Sequence, residues 1–153
     1  MPTLQTPQGC TNLKLRQLMR GVARHYDAEL AQTGLKTTQY SLLSHVLKLG
    51  PIRPGALARA MRMEPSTLTR NLRPLVQAGW VTLGAGSDAR SREVAITDAG
   101  RAKRDAAQRS WKRAQEGLNQ RLGTARVAAL HALLDEAMAQ LDAGTGGDGD
   151  DIV

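Results

Sequence analysis

Phenylalanine is absent from this sequence of 153 residues, and tryptophan and tyrosine contribute only two residues each. A buried core must therefore be built mainly from leucine, alanine, valine and methionine, which the hydrophobic content of 41% allows. The single cysteine, Cys10, excludes an internal disulfide framework. No apolar run is long enough to span a membrane and no signal-peptide pattern is present. We therefore expect a cytoplasmic protein with no membrane partner.

Acidic residues are also few: the sequence contains 14 aspartates and glutamates but 21 lysines and arginines, which gives a net charge of +7. Three of the acidic residues, Asp148, Asp150 and Asp151, lie at the end of the chain, so residues 1–143 carry +10. A basic body favours a polyanionic partner. No nucleophile–base arrangement, phosphate loop or cofactor fingerprint is present, so we expect neither an enzyme nor a bound cofactor.

Residues 53–97 have the pattern of a helix-turn-helix followed by a β-hairpin. Apolar residues recur at helical spacing in two short segments, and Pro65 begins the second, where a residue without an N–H group is tolerated. Gly79 ends that helix, at a place where a left-handed residue is often needed. Residues 80–83 and 92–96 alternate as two strands. This combination is a winged helix, which usually binds DNA.

The charge of this stretch agrees with a nucleic-acid partner. Residues 53–92 contain seven arginines against Glu64 and Asp88, which leaves a net charge of +5. Neutralised phosphates supply most of the sequence-independent affinity for DNA, and arginine can also form paired hydrogen bonds with guanine. The alternative is a solvated basic face on an interaction domain.

Helical spacing of apolar residues predicts further helices on both sides of the winged unit. Their stripes are too long to be buried by that unit alone, and long paired terminal helices usually bury such stripes against a second chain. We therefore predict a mainly α homodimer with a small β-hairpin wing. The predicted regions are a flexible arm at 1–10, a helical dimerisation region at 11–31 and 97–143, a winged helix-turn-helix DNA-binding region at 35–97, and a disordered acidic tail at 144–153.

Two patterns resemble the multiple-antibiotic-resistance regulator (MarR) family. One is the wing pattern, in which Asp88-Ala-Arg90 is followed by Ile96-Thr97, and the other is the second-helix pattern of residues 35–43. The resemblance covers residues 10–143. It implies an obligate homodimer whose winged units straddle a pseudo-palindromic double-stranded DNA operator. It also implies repression that is relieved by a small molecule, often an aromatic acid, bound where the winged unit meets the dimer helices.

Candidate DNA-binding residues follow from their positions and chemistry. The first turns of a recognition helix point into the major groove, where hydroxyls and arginine can meet base edges or phosphates. An arginine at a wing tip suits a narrow minor groove. Asp88 would either pair with a neighbouring arginine and hold the wing in shape or serve as a simple turn residue. The predicted set is Pro65, Ser66, Thr67, Thr69, Arg70, Arg73, Asp88, Arg90 and Arg92.

The ligand site is less well defined by the sequence. An aromatic carboxylate needs a cation and flat apolar walls. Five polar or aromatic residues on three predicted helices could converge to provide them, although each also suits a solvated, core or interface position. They are Arg16, Arg20, Tyr40, His45 and Trp111.

Other kinds of function stay open at this point. Cys10 lies just before a predicted helix, where a thiolate is favoured, and could sense peroxide with Tyr26 or Tyr40 as a partner. An architectural DNA-binding protein without a ligand is a further alternative. A metal site is not expected, because the three histidines are spread over three helices without a carboxylate or cysteine cluster.

Overall fold

The computed structural model describes residues 5–85 and 92–145. In these two ranges the elements are α1 (Thr11–Leu30), a 3₁₀ turn (Ala31–Thr33), α2 (Thr37–Leu49), α3 (Pro54–Ala60), α4 (Pro65–Gln77), β1 (Val81–Ala85), β2 (Arg92–Ile96), α5 (Asp98–Leu122) and α6 (Thr124–Thr145). This order confirms the predicted fold class, a mainly helical protein with a two-stranded hairpin. No helix within the described ranges is both long and apolar enough to cross a membrane.

Local chemistry explains the limits of the helix-turn-helix. Proline occupies the first position of both α3 and α4, where its missing N–H group costs no helical hydrogen bond. Helix α4 ends at Gln77, and Gly79, two residues later, is left-handed as predicted, with a φ of 76°. The N–H groups of Gly79 and Trp80 donate to the carbonyl oxygens of Val76 (3.0 Å) and Leu75 (2.9 Å), and so satisfy the end of the helix.

The wing is an antiparallel pair in which Val81 lies opposite Ile96 and Ala85 opposite Arg92. The first strand begins at Val81, one residue later than predicted, because the N–H group of Trp80 is used to close α4. Ile52, between α2 and α3, adds a single bridge to β2 through two hydrogen bonds with Val94, of 3.0 and 2.8 Å. The linker before the helix-turn-helix is thus fixed to the wing.

The hydrophobic core joins the winged unit to its neighbouring helices. It is built mainly from leucine, valine and alanine, as predicted, whereas the predicted methionines, Met61 and Met63, only pack against it partly buried. Leu30 of α1, Leu43 of α2, Leu57 of α3, Leu75 of α4 and Val94 of β2 are all fully buried. Ala107 of α5 is also fully buried, so the first half of that helix packs on the same core.

The chain divides into two compact units, Met1–Ala114 and Gln115–Val153. Helix α6, in the second unit, extends to Thr145. Residues 144 and 145, the first two of the predicted disordered tail, are thus helical, and the tail itself stays a prediction. Residues 146–153 lie outside the described residues. At the other end, α1 stops at Leu30, and Ala31 opens the 3₁₀ turn.

Candidate nucleic-acid interface

Helix α4 has one buried face and one exposed face. Leu68, Leu72 and Leu75 are nearly or fully buried, at 1%, 3% and 0% exposure, and anchor the helix on the core. The helix continues through Pro74 to Gln77, although Pro74 cannot donate to the Arg70 carbonyl. The opposite face is free to meet a ligand as large as a duplex.

The predicted α4 residues lie on that exposed face, with one exception. Thr67 is half-buried, and its five companions are exposed: Pro65, Ser66, Thr69, Arg70 and Arg73. The Thr69 hydroxyl donates to the Pro65 carbonyl oxygen (3.0 Å), which leaves its oxygen lone pairs able to accept a further bond. The structure thus brings these side chains to one surface, and their DNA contacts stay a prediction.

The arginines of this face have no acidic partner in the described part of the chain. The ion pairs there join Arg104 to Asp105 and Arg113 to Glu29, all of them on α1 or α5. The guanidinium groups of Arg70 and Arg73 are therefore available to an external anion.

Only one of the three predicted wing residues is described. Arg92 is exposed at the end of the ladder, opposite Ala85. Asp88 and Arg90, together with their predicted pairing, lie outside the described residues.

Thr97 fixes the wing and α4 to the start of α5. Its hydroxyl donates to the Gly79 carbonyl oxygen (2.6 Å) and accepts from the N–H group of Gly100 (3.0 Å), and its own N–H group donates to the Trp80 carbonyl (3.0 Å). Thr97 therefore caps the start of α5, as a threonine directly before a helix favours. The bond to Gly79, 18 residues earlier, has no signal in the sequence.

Two of the five predicted ligand residues contact each other. The rings of Tyr40 and Trp111 stack with their centroids 5.6 Å apart and an angle of 23° between the planes. The cation beside them is Arg104, which sequence reasoning missed. Its guanidinium carbon lies 5.5 Å from the centre of the Tyr40 ring, and its Nε donates to the Ser44 hydroxyl (3.1 Å). This group joins α2 to α5.

The other three predicted ligand residues have local partners or solvent. Arg16 donates to Asn12 on its own helix (3.2 Å), and Arg20 is exposed. The Nδ1 atom of His45 lies 2.7 Å from the Ser41 carbonyl oxygen and donates to it, because a carbonyl can only accept. The described contacts therefore do not gather all five residues around one site.

Cys10 precedes α1 and is exposed. Tyr26 lies 16 residues further along the same helix, which places it about 24 Å away at 1.5 Å per residue. Tyr26 of the same chain therefore cannot be a hydrogen-bond partner of the Cys10 thiol. Burial raises the pKa of Tyr26, so its hydroxyl stays neutral in the physiological range.

Histidine, cysteine and acidic side chains form no cluster of three or more that could hold a metal ion within residues 5–85 and 92–145. His25 contacts protein, since its Nε2 atom lies 2.8 Å from the Ala114 carbonyl oxygen.

The fold, with an exposed recognition helix and a hairpin wing, defines a winged helix-turn-helix protein. Residues 33–91 match the model of the MarR family. Transcriptional regulator MosR of M. tuberculosis, solved in complex with DNA, is 30% identical, with a TM-score of 0.74 over 87% of this chain and 98% of that chain. The chain therefore belongs to the MarR family of transcriptional regulators.

Two further proteins resemble parts or all of this fold. A probable transcriptional regulator from Pseudomonas aeruginosa has a TM-score of 0.75 at 23% identity, over 83% of this chain and 96% of that chain, a likeness of fold alone. The HTH-type transcriptional regulator YwoH of Bacillus subtilis, whose function is uncharacterised, is 29% identical over 84 residues. That match covers 55% of this chain and spans 61% of the curated relative's length.

Proposed function

We propose that this protein is a ligand-responsive transcriptional repressor. As a homodimer it binds a pseudo-palindromic operator through α4 and the wing, and a small molecule, an aromatic carboxylate, releases it. The observation that carries the proposal is the exposed face of α4, on which Arg70 and Arg73 have no acidic partner in the described residues. MosR, the relative with 30% identity, was solved bound to DNA.

Uncovered apolar surface on α1 supports the homodimer. All residues of 11–20 are exposed, including Leu13, Leu15, Leu18 and Met19, the last at 64%. In the second compact unit, Leu133 of α6 is 63% exposed and Leu141 is 74% exposed. Apolar patches of this kind mark interaction surfaces, and each of these two is of the kind that a symmetric second copy of the chain covers.

The stack of Tyr40 and Trp111 supports an aromatic carboxylate as effector. The two rings pack on each other and Tyr40 is only 3% exposed, so they become flat aromatic walls for a ligand when the ligand separates them. Arg104 beside them supplies the cation that a carboxylate needs. Tyr40 lies on α2, while Trp111 and Arg104 lie on α5, so a ligand that separates the rings changes how α5 meets the winged unit. A tenfold preference for one state shifts the balance by about 1.4 kcal/mol per site.

Selection from a pool of random-sequence duplexes tests the DNA-binding part of the proposal. The purified protein should enrich an inverted repeat whose half-sites are centred about one helical turn, or a multiple of it, apart, because two symmetric recognition helices contact them. Enrichment of sequences without two-fold symmetry would contradict operator binding by a dimer, and would favour an architectural role.

The enriched duplex then serves as the probe for release. A panel of aromatic carboxylates is added to the labelled complex, and Arg104→Gln is compared with wild type by fluorescence anisotropy. We expect at least one acid to release the wild-type protein, and the variant to need at least about tenfold more of it, since a lost charge-assisted bond costs about 1.5–3 kcal/mol, or about 10- to 150-fold. Equal sensitivity of the two proteins would remove Arg104 from the effector site.

The thiol mechanism is separated by Cys10→Ser. Under the present proposal this variant binds the selected duplex and is released by the acid as wild type is. If it binds but is no longer released by a hydroperoxide that releases wild type, the sensor is Cys10 and the carboxylate proposal fails.

A further inference from the structure

A surface cavity of about 200 Å³ lies beside the recognition helix, between α4 and the first turn of α2. Its walls come from two segments that are more than thirty residues apart in the sequence. The lining residues are Lys36, Thr38, Gln39, Arg70, Asn71 and Pro74. None of them is acidic, and two of them carry a positive charge.

The charges in the cavity are not neutralised by the protein. Neither the Lys36 ammonium nor the Arg70 guanidinium forms an ion pair within the described residues. Asn71, also in the lining, makes a weak contact with the Met63 sulfur, at 3.8 Å. The cavity therefore presents two cations and uncharged polar groups to the solvent.

Three backbone N–H groups at the start of α2 are already used within the protein. The N–H group of Lys36 donates to Gln39 Oε1 (3.0 Å), that of Thr37 to Asp27 Oδ1 (2.7 Å), and that of Gln39 to the Lys36 carbonyl (3.0 Å). Lysine has no acceptor atom, so its side chain takes no part in capping and is free to reach a ligand. The attraction for an anion comes from the side chains of Lys36 and Arg70.

Size and polarity select the kind of anion. Pockets for drug-sized organic ligands usually have about 300–1,000 Å³ and mainly apolar walls. A smaller cavity with two cations, a hydroxyl and amides suits a single phosphate group. Arg70 belongs both to this cavity and to the exposed face of α4, so a phosphate here would lie at the edge of whatever α4 contacts.

We propose that the cavity holds a backbone phosphate of the bound DNA, with Lys36 and Thr38 as contacts to the strand that borders the groove entered by α4. This inference rests on the proposed DNA-binding function. Contacts to phosphates fix the register of a protein on the duplex without reading its sequence. Lys36 therefore contributes affinity equally on every DNA sequence.

Salt dependence of DNA binding tests the inference, with Lys36→Gln as the variant. Binding to a mixed-sequence duplex of 30 base pairs is measured by fluorescence anisotropy over a range of KCl concentrations. Each phosphate contact contributes about 0.9 to the slope of log K against log salt. The slope for Lys36→Gln should be lower by about 0.9 per bound chain, or about 1.8 for a dimer, with roughly tenfold weaker binding per chain at 0.1 M salt.

Lys48→Gln is the matched control, because it removes the same charge from an exposed lysine at the other end of α2. It should keep the wild-type slope, and Lys36→Arg should restore it. Thermal unfolding of all variants should match wild type, since Lys36 makes no side-chain cap.

The two proposals fail in different ways. If the wild-type protein binds neither the mixed-sequence nor the selected duplex, the DNA-binding function itself is wrong. If it binds and Lys36→Gln has the slope of Lys48→Gln, only the cavity inference is overturned. The inference is also contradicted if the cavity binds free phosphate instead of DNA. Inorganic phosphate would then raise the thermal stability of the wild type more than that of Lys36→Gln, while the salt slopes of DNA binding stay equal for the two proteins.

Discussion

Arg62 and Gly79 occupy the same structural position at the ends of two successive helices. Each is left-handed, with φ of 51° and 76°, and each is followed by an N–H group that donates back across the last turn. Gly79 was predicted from the sequence, because glycine is the readable signal for this conformation. Arg62 was not, since an arginine carries no such signal, and the sequence marked the turn only through Pro65, which begins the next helix. The turn between α3 and α4 therefore contains a non-glycine residue in the left-handed conformation, which the Cβ of that residue disfavours.

Replacing Arg62 tests this strain, with glycine and alanine as a matched pair. Both variants remove the guanidinium and whatever it contacts, and only alanine keeps the Cβ that opposes a positive φ. A left-handed residue with a side chain costs about 1–2 kcal/mol, partly offset by the greater freedom of glycine in the unfolded chain. Arg62→Gly should therefore be more stable than Arg62→Ala by about 0.5–1 kcal/mol in urea unfolding. Equal stability would mean that the turn relaxes when the side chain is removed.

Gly100 is required for a different reason, which is space. A Cβ at this position would lie 2.0 Å from the Trp80 carbonyl oxygen and 2.9 Å from a side-chain carbon of Ile96. Gly100→Ala should destabilise the fold by about 3 kcal/mol, at the upper end of the range for overpacking, because the obstacle is backbone. Gly55→Ala is the control, since nothing lies within 4 Å of that Cβ and alanine is the better helix former by about 1 kcal/mol. Opposite shifts in the urea midpoint are expected.

At the level of elements, the junction of α4, the wing and α5 depends on Thr97. One hydroxyl group satisfies the last turn of the recognition helix through Gly79 and the first turn of α5 through Gly100. The sequence predicts a cap, since threonine before a helix is a local signal. It cannot predict a contact that depends on where α4 ends in space.

Thr97→Val should show how much this junction contributes. Valine has the shape of threonine without its hydroxyl, so the Gly79 carbonyl and the Gly100 N–H group each lose this hydrogen bond. The free energy of unfolding should fall by about 1–3 kcal/mol in Thr97→Val. Thr97→Ser keeps the hydroxyl and should therefore retain most of the wild-type stability. A valine variant as stable as wild type would show that water satisfies both groups.

The proposed effector site, made of Tyr40, Trp111 and Arg104, also has parts that local sequence signals predict and a part that they do not. Tyr40 and Trp111 were predicted because aromatic side chains on predicted helices could provide the flat walls that an aromatic acid needs. Arg104 was missed, since the sequence has 21 basic residues and nothing marks one of them as lying over Tyr40. Arg16 and Arg20 were predicted from their charge alone, and the structure gives them no contact with the ring pair.

For the whole molecule, the sequence predicts most of the element order, because apolar periodicity, prolines and glycines act locally. The positions of α2, β2 and the helix-turn-helix follow from such signals and match the structure closely. The cavity between residues 36–39 and 70–74 does not, because it forms only when α2 and α4 pack together. Periodicity also cannot say what covers an apolar stripe. The exposure of Leu13, Met19 and Leu141 identifies the surfaces that the folded single chain leaves open.

Leu134→Asp tests the proposed homodimer at this scale. Leu134 lies on the α6 stripe with Leu141 and is 37% exposed, so aspartate is tolerated in a single chain but would be an unpaired charge in a dimer interface. Both protomers of a dimer carry the substitution, so the interface would contain two unpaired charges. We expect the dimer dissociation constant to rise by about a hundredfold or more, which corresponds to a loss of about 2.7 kcal/mol in the free energy of association. Sedimentation equilibrium measures it.

Ala132→Asp is the control, because it adds the same charge to the exposed opposite side of α6, 200° away around the helix axis at 100° per residue. It should remain dimeric and bind the selected duplex as wild type does. Leu134→Asp should lose the dimer and the tight binding to the inverted repeat together, since two half-sites need two winged units, while its single chain stays folded by circular dichroism. A Leu134→Asp protein that is monomeric yet binds the full repeat with wild-type affinity would show that one winged unit is enough, and the proposed use of a dimer to recognise the operator would be wrong.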